Sequence, residues 1–80
     1  MDNHGTTMIG DLLMPDTKSI KDENENEQLV FNTTTSAVNQ LSITNAASGT
    51  SPILAAEGDD TNIDIILTPK GTGDVILSGT

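Results

Sequence analysis

Phe31 is the only aromatic side chain in this chain of 80 residues, and the chain contains no cysteine. Aromatic side chains supply much of the burial in a small domain, and disulfides are a usual substitute where the core is thin. Here there is a single aromatic and no disulfide. A chain this short buries only about 60% of the surface that its unfolded form exposes. Its Leu, Ile, Val and Phe residues number 19 of 80, just above the level at which disorder is the default expectation. The sequence therefore predicts one domain at most, able to fold but short of a core of its own. Without thiolates there is no disulfide framework and no cysteine metal site, so oligomerisation is the leading way to complete a core.

Charge narrows the partners. Three Lys, no Arg and 12 acidic residues give a formal net charge of −9, which repels phosphate backbones and anionic lipid surfaces. No nucleic-acid partner is expected. Runs of large branched apolar residues such as Ile65 to Leu67 are far below the roughly 20 residues needed to span a bilayer as a helix. No membrane partner is expected either. The start, Met1-Asp2-Asn3-His4, lacks the basic and apolar regions of a secretory signal, so the expectation is a soluble protein made in the cytoplasm.

Composition shifts near residue 27, and the sequence is divided there. Residues 1 to 27 hold few large apolar side chains, and Asp22-Glu23-Asn24-Glu25-Asn26-Glu27 places four carboxylates within six residues. Mutual repulsion favours an extended, solvated linker there. Upstream, Met8 to Pro15 forms a short apolar cluster in which Ile9, Leu12, Leu13 and Met14 would make the contacts of a docking segment. The first part is thus expected to be an extended N-terminal attachment arm with an acidic linker. Residues 28 to 80 are expected to form a β-rich trimerisation module.

That second part alternates short β-prone runs with turn signals. Strands are predicted at Gln28 to Asn32, Ala37 to Thr44, Pro52 to Ala56, Ile63 to Thr68 and Val75 to Leu77, with turns at Ser48-Gly49, Glu57 to Asn62 and Pro69 to Gly73. Period two sets Leu41 with Ile43 on one face, and Ile63 with Ile65 and Leu67 on another. The class is all-β. Strands this short fall below what a monomeric sandwich needs, typically about 100 residues. An intertwined homotrimer resolves the shortfall, with Leu41, Ile43, Ile63, Ile65, Leu67, Val75 and Leu77 as its core. Pairing between chains would also occupy open strand edges.

No catalytic or cofactor site emerges. Asp60, Asn62 and Asp64 alternate like the first ligands of a helix-loop-helix calcium site, but Ile65 and Gly71 stand where that motif needs its glycine and its bidentate Glu. Glu57, Asp59 and Asp60 could form a looser oxygen-ligand site, against the plain reading of a solvated acidic turn. Lys70-Gly71-Thr72-Gly73 puts its Lys before the glycines, the reverse of a phosphate-binding loop, and reads as a turn between strands. His4 has no serine or cysteine constellation around it, and Asp59 and Asp60 lack apolar surroundings to raise a pKa. No enzyme activity and no cofactor are expected. Asn32-Thr33-Thr34 matches a glycosylation acceptor, a short pattern that often arises by chance.

Leu41 to Gly49, followed by Asp59-Asp60-Thr61-Asn62-Ile63-Asp64-Ile65 and Leu67-Thr68-Pro69-Lys70-Gly71-Thr72-Gly73, resembles the short β-stranded module of trimeric fibre, spike and decoration proteins of tailed bacteriophages. The match covers about half the chain. Its most specific element is the ordered series T-N-A, D-T-N-I-D and L-T-P-K-G-T-G. The resemblance implies a homotrimeric β-structured shaft or knob in the virion, joined to another capsid or tail protein through its N-terminal segment. Two roles stay open. The chain would be an abbreviated part of a fibre or spike, or a capsid cement protein that stabilises the head. The alternative of a different class is a soluble sugar- or calcium-binding β module.

Overall fold

A computed structural model describes residues 10 to 79 of the chain. Among these residues there are four strands and no helix: β1 (Lys18–Lys21), β2 (Glu27–Phe31), β3 (Asn39–Thr44) and β4 (Ile53–Gly58). They form two separate antiparallel hairpins, β1 with β2 and β3 with β4. The chain is all-β. It divides into two units, one ending at Ser36 and the other beginning at Ala37.

In the first unit Lys18 faces Phe31, Ser19 faces Val30, Ile20 faces Leu29 and Lys21 faces Glu27, with a bulge between Ile20 and Lys21 that leaves Gln28 without a partner of its own. The acidic run, expected to be an extended spacer, instead turns the chain from β1 into β2. Asp22 makes the turn possible. Its carbonyl accepts the Glu25 N–H at 3.0 Å, and one carboxylate oxygen accepts the N–H groups of Asn24 and Asn26, both at 2.9 Å. Asp is favoured at the first position of a turn because its side chain can bond the backbone two residues on. Carboxylate repulsion along the run is weak in water at these separations, so three local hydrogen bonds outweigh it.

The second unit pairs Leu41 with Ala56, Ser42 with Ala55, Ile43 with Leu54 and Thr44 with Ile53. The eight residues between β3 and β4 include a turn in which the Thr50 N–H reaches the Ala47 carbonyl at 3.1 Å. Gly49, with φ at 88°, occupies the third position, where a type II turn needs a positive φ. Strands β2, β3 and β4 lie where the sequence places strands. Residues 63 to 69 and 73 to 79 do not become strands, although Ile63 to Thr68 carries the clearest period-two pattern in the sequence. A strand is defined by its ladder, and among the described residues neither segment has one.

The packing is the central finding. No described residue is buried, and every described Leu, Ile, Val and Phe except Ile63 is exposed.

Candidate assembly surface

The hairpin β3–β4 sorts its side chains by period two. Leu41 and Ile43 share one face with their partners Ala56 and Leu54, which is the apolar side the sequence predicts for β3. The opposite face carries Gln40, whose amide donates to the Glu57 carboxylate at 3.0 Å. The result is a two-faced ribbon. Its apolar face stays largely open, and Ile43 is 86% exposed.

One end of this ribbon is closely built. The Asp59 N–H donates to the Val38 carbonyl at 3.1 Å, and the Asn39 amide donates to the Asp60 carboxylate at 2.9 Å. Gly58 lies between them at φ 153°, where a Cβ would overlap the Asn39 side chain and the Val38 carbonyl oxygen. Only glycine fits. The chain leaving this corner brings Ile63 and Asp64 beside Asn39, Gln40, Leu41 and Ala56, which together line an open hollow of about 210 Å³. Ile63 is half-buried there.

Of the seven predicted core positions, the structure thus brings Leu41 and Ile63 to this end of the second unit, and sets Ile43 farther along β3 on the same face as Leu41. Ile65, Leu67, Val75 and Leu77 lie outside the strands, in residues 63 to 69 and 73 to 79, and are exposed. Leu54 and Ala56 are additions. Their place on the apolar face depends on the length of the β3–β4 connection, which strand patterns alone leave undetermined.

In the first unit, Ile20 and Leu29 share a face with Phe31, while Val30 stands on the other. The sequence signal for this face is faint, because Lys18-Ser19-Ile20-Lys21 contains a single large apolar residue. Of the predicted attachment residues, Ile9 lies outside the described residues. Leu12 and Leu13 are exposed, Leu13 by 90%, and Met14 is half-buried.

Among the described residues, no three carboxylate or imidazole groups are placed to hold a metal ion, and Asp60 is engaged by Asn39 instead. Lys70 to Gly73 forms a turn, with the Gly73 N–H bonded to the Lys70 carbonyl at 3.0 Å. Gly71 takes φ 61° at its first central position, the geometry of a type II′ turn. No helix among the described residues is long and apolar enough to cross a membrane. No family model matches the chain, and no curated protein or solved structure matches it.

Proposed function

We propose that the chain is a non-enzymatic structural component of a tailed-phage particle, a fibre or spike element that works as a homotrimer and attaches through its N-terminal segment. One observation supports the need for identical partners above all others: the described chain has no buried residue, yet exposes 17 large apolar side chains. Covering each of them fully would contribute roughly 1.5–3 kcal/mol, a gain that the single chain forgoes. Residues 63 to 69 and 73 to 79 have no ladder partner among the described residues, and unpaired backbone beside apolar side chains invites pairing with another strand. The phage context comes from the ordered motifs Thr44-Asn45-Ala46, Asp60 to Asp64 and Leu67 to Gly73. Virion attachment rests on Leu12, Leu13 and Met14, with Ile9, as a compact apolar cluster ahead of the first hairpin.

The test has two parts. Light scattering on the full chain should give three times the chain mass at micromolar concentration, and a stable monomer there would overturn the reading. The double variant Leu12→Asp/Leu13→Asp should keep that mass and lose binding to particles that lack the native protein. Undiminished binding would move the attachment surface elsewhere.

A further inference from the structure

Residues 64 to 68 and 74 to 78 are two copies of one five-residue unit. Asp64-Ile65-Ile66-Leu67-Thr68 aligns with Asp74-Val75-Ile76-Leu77-Ser78 at a spacing of ten residues, with identity or close chemical likeness at every position. Their exposures match at the first two apolar positions and part at the third, where Leu67 is 58% and Leu77 89% exposed. Ile65 and Val75 are 43% and 45% exposed, while Ile66 and Ile76 are 81% and 80% exposed. At those first two positions each unit offers the equivalent residue, Ile65 or Val75, to its less exposed side.

The type II′ turn between them would ordinarily fold these segments into a hairpin. Closing that hairpin through Lys70 and Gly73 would set Thr68 opposite Val75, Leu67 opposite Ile76 and Ile66 opposite Leu77. Side chains opposite each other in an antiparallel pair share a face. Ile65 and Leu67 would then share a face with Ile76, and Val75 and Leu77 would go to the other side. The repeat would be split, its equivalent positions divided between two faces. The structure keeps the segments apart: among the described residues, neither has a ladder partner, and the turn closes with the single bond from Gly73 to Lys70.

We infer that Asp64–Thr68 and Asp74–Ser78 are successive, equivalent rungs of a sheet formed between chains, each pairing with these same segments of other copies of this chain. The inference rests on the self-association proposed above and says which backbone carries it. A partner that engages both rungs at once must present two strands at the same ten-residue period. A second copy does so by construction. Pairing between copies also lets Ile65 and Val75 face the same way, which pairing within the chain forbids.

Amide hydrogen exchange on the full chain, followed residue by residue at two concentrations beside light scattering, tests this directly. In the assembled state, amides of both rungs should exchange about 100-fold more slowly than in dilute chain, to a similar degree in each. An assembly by light scattering in which these amides exchange freely, or in which one rung alone is protected, overturns the inference while leaving self-association standing. Protection that is the same at both concentrations overturns it too, since pairing would then lie within the chain. A monomer at every concentration removes the proposed trimer, and the rungs with it.

Discussion

The two hairpins turn the chain by different means. Among the described residues, the backbone positions with positive φ in the first unit are Thr17, Glu25 and Ser36, none of them glycine; in the second they are all glycines, Gly49 at 88°, Gly58 at 153° and Gly71 at 61°. A residue with a Cβ costs roughly 1–2 kcal/mol in the left-handed region, so the first unit has to offset that cost. It does so with carboxylates. Asp22 holds Asn24 and Asn26, and Asp16 accepts the Thr33 N–H at 2.8 Å, tying the chain beyond β2 back to the start of β1. The second unit has little strain to offset at its turns, but among the described residues it leaves 63 to 69 and 73 to 79 without ladder partners. Local side-chain bonds close the first unit, whereas the second has its demand for partners written into open backbone.

The sharpest way to break this contrast is to charge each unit in turn. Ile65→Asp with Val75→Asp should abolish assembly, because each places an unpaired carboxylate where burial costs several kcal/mol. Ile20→Asp should leave the assembled mass unchanged, and Ile66→Asp should weaken assembly less than Ile65→Asp. Equal loss from Ile20→Asp, read by light scattering, would show that both units carry the interface.

Gly58→Ala should come next, lowering stability by about 1–3 kcal/mol as the chain shifts to clear Asn39 and Val38. Thermal unfolding would register it. Gly49→Ala, at an open position, should cost only the conformational term of about 1 kcal/mol. In the first unit, Asp22→Ala should cost about 1 kcal/mol by releasing two backbone donors, while Asp22→Asn, which keeps an acceptor oxygen, should cost less. The smallest effect is expected from Glu25→Gly, a gain of a few tenths of a kcal/mol after the added freedom of the unfolded chain is subtracted. A loss there would mean that Glu25 makes a contribution beyond its backbone shape.

The same contrast explains what was legible in the sequence. Strands β2, β3 and β4 follow from β-branched and period-two runs, and the turns at Gly49 and Gly71 follow from their glycines. Strand β1 was not legible, because Lys18-Ser19-Ile20-Lys21 shows no apolar period and Asp22 to Asn26 contains neither glycine nor proline. Its turn depends on which carboxylate folds back on which amide, a geometric fact that composition hides behind the look of a solvated spacer. Ile63 to Thr68 failed in the opposite sense: the pattern was plain, but a strand also needs an edge to pair with. Within the candidate surface, Leu41 and Ile43 were readable from alternation, while Leu54 and Ala56 required the register across an eight-residue connection.

The aspartate that opens each rung has a further consequence. Backbone left open for a chosen partner is also open to endless cross-β stacking, and Ile65-Ile66-Leu67 and Val75-Ile76-Leu77 are apolar triplets of the kind that seed it. Asp64 and Asp74 stand as gatekeepers immediately before them. In a parallel, in-register stack, each aspartate would meet its own copy every 4.8 Å or so along the fibril. Each such contact costs nearly 1 kcal/mol even in water, and it is repeated at every layer. The proposed closed ring of three would incur a small, finite number of these contacts, so a charge that would barely burden such an assembly weighs without limit on the fibril.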